Sequence, residues 1–173
     1  MSNVEQYIQF AEAKGWKFYH FTDSRNVEGI RKFGLFATAE LRARNLEVVT
    51  GGNQWSLDAD RQKGMDAYVH LCFRRSHPME YKARMDKRIE KSCFLSIKPA
   101  ILRVSGALIS LGVSNKADAE YGDAESFLEK MDWEVVYAKT DWKNPEIRER
   151  LKMAEKCEIL IPNNIPLEYI VGL

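Results

Sequence analysis

Cys157-Glu158-Ile159-Leu160-Ile161 sets a single carboxylate inside a short apolar run. Five residues of this kind read as a strand. A carboxylate buried there without a partner is costly. Glu158 therefore either faces solvent from a half-exposed strand or is presented into a cleft as a general base or ribose anchor. Working outward, Asn144-Pro145-Glu146 starts a helix that runs to about Glu155, and Tyr169 to Leu173 is a second apolar β run. Upstream, Trp16 to Phe21, Tyr68 to Phe73, Cys93 to Ile97 and Leu102 to Leu111 read as strands or strand fragments. Helices are expected over Val4 to Ala13 (stopped by Gly15), from Asp23 or Ser24 to Phe33 (closed by Gly34) and from Thr38 to Arg44. Two more follow, from Pro78 to about Arg88 with His77 as its cap, and over Ser126 to Met131. Residues 50–65, rich in Gly, Asn, Asp and Ser, read as a loop. Strands and helices are interspersed without a regular βαβ alternation, which points to an α+β fold.

The chain is 173 residues long, the size of one domain, so residues 1–173 are read as a single unit. At 45% hydrophobic it has the material for a core, which excludes a disordered chain. A net charge of +1 excludes a strongly basic nucleic-acid tail or a polybasic membrane module. No apolar run approaches the ~18 residues of a membrane span, and Met1-Ser2-Asn3-Val4-Glu5 lacks the start of a secretory leader. Cys72, Cys93 and Cys157 are odd in number and widely spaced, which argues against a disulfide scaffold or a structural zinc. Together these features predict a reduced, cytoplasmic protein with no metal. Charge is unevenly spread: residues 74–91 carry seven Lys/Arg against three acids, and residues 115–134 carry seven acids against two Lys. Each stretch is either a solvated face or, for the first, a phosphate-contacting surface with Tyr81 interleaved.

His20 ends the first strand, a usual place for a binding group, but it also fits a core histidine with one satisfied nitrogen. His70 and Cys72 share a strand face at i, i+2 and could chelate a metal, yet no further ligand lies nearby in sequence. Arg44 and Arg61 are surface residues unless one reaches a cleft holding Glu158, where it would pair with a diphosphate. No P-loop, G-x-G-x-x-G or nucleophile elbow is present, and Gly51-Gly52 alone does not make a phosphate cradle.

Four segments, in order, resemble the DarT family of DNA ADP-ribosyltransferases, toxins of bacterial toxin–antitoxin systems. They are Tyr19-His20-Phe21-Thr22-Asp23-Ser24-Arg25-Asn26 with Gly29-Ile30 and Gly34-Leu35; Asp66-Ala67-Tyr68-Val69-His70-Leu71-Cys72-Phe73 with His77-Pro78-Met79-Glu80-Tyr81; Met131-Asp132-Trp133-Glu134 with Trp142 and Pro145-Glu146; and Ala154-Glu155-Lys156-Cys157-Glu158-Ile159-Leu160-Ile161. The likeness spans roughly residues 18–171. It implies an ADP-ribosyltransferase-like split β-core with peripheral helices and NAD, as a substrate, in the cleft. Glu158 would be the catalytic carboxylate. His20, Phe21 and Thr22 would hold the nicotinamide end and its ribose, with Gly29 and Ala37 lining the NAD site and Tyr68 and Tyr81 stacking nearby. The family's essential arginine falls on Arg61, at the end of a helix-like run, or on Arg44 of Arg44-Asn45. The first is taken as catalytic and the second as an NAD contact. The family's usual Asp-Tyr-Val-Pro-Phe-Tyr-Phe is altered here, with one residue inserted and the proline and two aromatics replaced, and family members usually continue past the position of Leu173. Both departures touch the acceptor side.

The mechanism so implied has Glu158 stabilising an oxocarbenium-like ribose and accepting a proton from a base nitrogen. Lys139-Thr140-Asp141-Trp142 would recognise the acceptor, with Trp142 stacking on an unpaired base. Single-stranded DNA is the expected acceptor, because a duplex shields that nitrogen; RNA is a second choice. A macrodomain antitoxin is the expected partner. The alternatives are an NAD glycohydrolase, a transferase acting on RNA or protein, and a non-catalytic nucleic-acid-binding module.

Overall fold

The computed structural model describes residues 1–137, 141 and 143–173. Helix α1 (Asn3–Ala13) is capped by Ser2, whose hydroxyl accepts the Glu5 amide at 3.2 Å. It is stopped by Gly15 at φ +70°, and the Gly15 and Trp16 amides bond back to Glu12 and Ala11. It buries Tyr7, Ile8 and Ala11 in the core. Strand β1 (Phe18–Asp23), helix α2 (Val27–Phe33), the short strand β2 (Leu35–Phe36), and helices α3 (Thr38–Ala43) and α4 (Gln54–Lys63) follow. Then come β3 (Tyr68–Cys72), α5 (Pro78–Met85), β4 (Ser92–Ile97), β5 (Leu108–Ser110) and β6 (Tyr121–Asp123). The chain closes with α6 (Ala124–Phe127), α7 (Trp133–Val136), α8 (Pro145–Ala154), β7 (Glu158–Pro162), β8 (Asn164–Ile165) and β9 (Ile170–Val171). The architecture is α+β, with a mostly antiparallel sheet and helices around it.

The main sheet has the order β6-β5-β7-β3-β1-β4-β9. Six residue pairs join β1 to β4 and five join β3 to β7, but β1 and β3 meet at one pair, Tyr19 with Cys72. The sheet is therefore two well-laddered halves joined at a point. Beyond that point the halves part, and the His20 side chain crosses the gap to the His70 carbonyl at 2.9 Å.

The register decides what β7 can do. Ile159 and Ile161 lie opposite Leu71 and Val69, and Ile109 pairs with Ile159, so one face is wholly apolar. These side chains pack with Phe18, Phe73 and Ile97 in the core. On the other face Cys72, Glu158 and Ser110 fall into one row. Strand β7 is flanked on both sides and covered on both faces, which is why it reads as an apolar run.

Several expectations need correction. Residues 50–65 are not a loop: Asn53 caps α4 by accepting the Ser56 amide at 2.8 Å, and Gly64 at φ +70° ends it. Its polar composition hid it. Of Leu102 to Leu111 only a fragment is strand, because a 3-10 turn over Pro99–Arg103 and Gly106 at φ +83° precede the short β5. The helix expected over Ser126 to Met131 starts earlier, at Ala124, and continues as a 3-10 turn. The acidic stretch hides a strand, β6, and supplies caps: Asp123 accepts the Ser126 amide, and Glu125 accepts those of Asn3 and Val4. His77 does cap α5, its Nδ1 accepting the Met79 amide at 3.2 Å. Among the described residues no helix is long and apolar enough to cross a membrane.

Candidate active site

Where the two halves of the sheet part, a cleft of about 910 Å³ opens. That is toward the upper end for small-molecule and cofactor sites, about 300–1,000 Å³. Glu158 lies in its floor, only 6% exposed. Its Oε2 accepts the Ser114 amide at 2.9 Å and faces His70 Nδ1 at 3.5 Å. Burial pushes the carboxyl's pKa up, but His70 and the Ser114 bonds more than offset this and hold it below the usual range. Glu158 is thus buried and ionised.

His70 is fixed from the other side. Its Nε2 lies 2.9 Å from the Met65 carbonyl, which can only accept, so Nε2 carries a hydrogen. Burial disfavours a charge on this ring, yet Glu158 and Asp60 together raise its pKa to about 9. Asp60, from α4, is pushed up by burial although His70 and Asn115 draw it down. Its Oδ1 is buried with no hydrogen-bond partner among the described residues.

The β1 wall is aromatic. His20 donates Nδ1–H to the His70 carbonyl, leaving Nε2 as an acceptor. Burial lowers its pKa, so the ring is neutral near pH 7. The Phe21 ring lies nearly parallel to those of His20 and His77, with centroids 6.4 and 6.1 Å away. Gly51 is explained by packing: a Cβ there would lie 3.0 Å from the Phe21 ring and 2.9 Å from Ile89 Cδ1. Asn26 bonds Thr22 Oγ1 and both main-chain groups of Val49, tying the segment before Gly51 to α2.

This arrangement can hold an elongated polar ligand between an aromatic wall and a buried anion. Residues 19–173 match the family model described as ssDNA thymidine ADP-ribosyltransferase, DarT. The chain belongs to the DarT family. Its fold is similar to that of Thermus sp. 2.9 DarT in complex with ADP-ribosylated ssDNA, with a TM-score of 0.65 at 19% identity over 88% of this chain and 78% of that one. The same DarT in complex with NAD+ gives a TM-score of 0.60 at 20% identity, with the same coverage. Thermosipho africanus DarTG in complex with ADP-ribose gives 0.66 at 16% identity over 90% of this chain, which spans 42% of that one. No curated protein matches the chain.

Of the residues that the DarT resemblance singled out, Glu158, Arg61, His20, Phe21, Thr22 and Gly29 line the one cleft. Four others stand outside its lining. Ala37 is 2% exposed and its amide is used by the Asn163 carbonyl. Arg44 lies over the Phe36 ring at 4.6 Å and pairs with Glu40 at 3.2 Å. Tyr68 sits opposite Pro162 in the ladder, and Tyr81 is 60% exposed on α5. Between the two candidate arginines, then, Arg61 reaches the cleft. Within the basic stretch containing Tyr81, Arg84 pairs with Glu80 and Arg88 with Asp86, while Arg74 donates to the Val135 and Val136 carbonyls. Of the expected acceptor segment, Lys139, Thr140 and Trp142 lie outside the described residues. Sequence reasoning missed three neighbours of Glu158. The Ser114 contact is a main-chain amide and leaves no residue-type signal. Asp60 was concealed by the loop reading of α4, where Ser56 and Asp60 share a helical face. His70 was weighed as a metal ligand with Cys72, whereas its two nitrogens face Met65 and Glu158.

Proposed function

We propose that this DarT-family chain, acting as one catalytic domain over residues 1–173, transfers ADP-ribose from NAD to a thymidine of single-stranded DNA, with Glu158 as the catalytic carboxylate. The observation that carries this reading is a carboxylate at once buried and held ionised at the floor of a dinucleotide-sized cleft. As the bond between nicotinamide and ribose breaks, positive charge develops on the sugar. A preformed anion in a poorly hydrated site stabilises that charge without reorganising. Glu158 also lies ready to hydrogen-bond a ribose hydroxyl and to take the proton of the attacking nitrogen. Thymine in a nucleoside carries one ring N–H, and base pairing buries it, which is why a single strand is the substrate.

The other cleft residues take complementary roles in this reading. Neutral His20 accepts from a ribose hydroxyl through Nε2, and Phe21 stacks on the nicotinamide ring. Thr22 and Gly29 line the NAD path, and Arg61 faces the diphosphate or the acceptor. Shielding of the nicotinamide end from water favours transfer over hydrolysis. The chain acts in the cytoplasm as a toxin held in check by a macrodomain hydrolase; co-expression of such a hydrolase restores growth to cells that make the wild-type chain.

The deciding measurement is mass spectrometry of a defined single-stranded oligonucleotide after incubation with NAD. The expected product carries one added ADP-ribose, on a thymidine, and Glu158→Gln reduces its rate by about 10²–10³-fold. Nicotinamide release with an unmodified oligonucleotide would establish an NAD glycohydrolase instead. Modification of RNA or protein in parallel reactions, with DNA untouched, would move the acceptor class. Full transfer by Glu158→Gln would overturn the mechanism.

A further inference from the structure

We propose that His70 is a positioning residue that clamps Glu158 in the free protein and gives up its proton when NAD binds. The inference rests on the reading above, in which the cationic nicotinamide end enters beside Glu158. Its geometric basis lies in the two ring nitrogens. Nε2 is committed as a donor to the Met65 carbonyl at 2.9 Å. Nδ1 faces Glu158 Oε2 and the Ser114 hydroxyl, each at 3.5 Å. With Nε2–H fixed, a hydrogen on Nδ1 exists only in the imidazolium, so the clamp on Glu158 is made or lost with a single proton.

The groups that face this ring come from every element around it. Glu158 on β7 and Asp60 on α4 favour the charged ring, and together they place its pKa at about 9. His20 on β1 and His77 at the start of α5 are both pushed down by burial, so at pH 7.5 neither has a proton to lose. Glu158 is held low and has none either. Asp60 is raised, and is controlled for below. His70 is thus the group in this cluster that is charged at neutral pH and can be discharged there.

NAD binding brings a second positive charge to the same carboxylate. A unit charge about 5 Å away, in an effective dielectric near 20, changes a protonation equilibrium by roughly a few hundredfold. That brings the His70 titration from about 9 to near neutrality. The Nδ1 proton passes to the buffer, the ring becomes neutral with its hydrogen on Nε2, and Glu158 is freed to serve the ribose. Linkage then sets the sign: binding that releases a proton strengthens as pH rises, until the free protein has no proton left to give.

The test uses carba-NAD+, measured by calorimetry at pH 7.5 in two buffers of different ionisation enthalpy. The wild-type chain is expected to release close to one proton per ligand bound, with affinity rising by up to about tenfold per pH unit from about 7 to 9. His70→Gln keeps a donor for the Met65 carbonyl, and it should bind with no proton release and a flat pH profile. Asp60→Asn should move the upper end of the pH window toward neutrality while release persists. Binding by the wild-type chain without proton release would overturn the proposal, as would unchanged release from His70→Gln or loss of release in Asp60→Asn. If wild type does not bind carba-NAD+ at all, the NAD reading itself fails and this inference goes with it.

Discussion

Glu158 and His70 owe their chemistry to a register. A shift of one residue of β7 against β3 would carry Glu158 to the core face now held by Ile159 and leave His70 behind on the other, and the site would be broken apart. Their pairing also leaves a mark on stability. The folded pKa of His70, about 9, lies above its unfolded value near 6.5, so its contribution is complete below about pH 6.5 and is lost as pH rises through 9. The melting temperature of the wild-type chain should therefore fall by roughly a few degrees between pH 6.5 and 9. His70→Gln should show a flatter profile over that range, checked by differential scanning calorimetry. A slope that survives the substitution would assign it to other groups. At this scale the sequence was informative about residue kinds and silent about their company. A carboxylate in an apolar strand and a histidine in an aromatic one stand out by chemical type, although His20 lies inside β1 and not at the strand end expected for it. That His70 Nδ1 meets Glu158 depends on which strands are neighbours, and no local pattern encodes that.

At the scale of elements, legibility follows capping chemistry. The helices at His77-Pro78 and Asn144-Pro145 were readable because their caps are themselves local, and α1 because its apolar spacing ends at Gly15. Helix α4 has the same signals in Asn53 and Gly64, but its ten residues bury one side chain, Ser56, so no apolar stripe announces it. Its polar face serves the cleft instead, through Asp60 and Arg61. Asn53→Ala is expected to cost about 1 kcal/mol, the usual loss of an N-cap. Because α4 lines the cleft, with Asp60 and Arg61 among its lining residues, the same change should weaken NAD binding several-fold beyond its effect on melting. Parallel denaturation and NAD titrations would show this; a stability loss with unchanged affinity would detach α4 from the site. The short strands β2, β6 and β8 escaped for a different reason. Two or three residues long, they exist through their ladder partners and carry no periodicity of their own.

Across the whole molecule, the α+β class was legible from the irregular order of strands and helices, while the division of the sheet was not. Nothing in β1 or β3 taken singly says that they share one residue pair where their other neighbours share five or six. The aromatic cluster of Tyr7, Phe18, Phe73, Trp133 and Tyr137 lies behind that join, and the hydroxyls of Tyr7 and Tyr137 meet at 2.6 Å. It backs the junction with contacts from α1 and α7, elements far apart in the chain. The one-pair junction has a mechanical consequence. Spreading two leaves stitched at Tyr19 and Cys72 would tear no ladder, only the His20 bond to the His70 carbonyl, and a ligand touching both leaves adds a further thread. Hydrogen exchange should therefore slow at amides flanking the gap, around His20 to Thr22 and Tyr68 to His70, when carba-NAD+ is added, with the interior of the β1–β4 ladder unchanged. Uniform protection across the sheet would mean that it moves as one plate, and that the opening is a fixed slot rather than a pair of jaws.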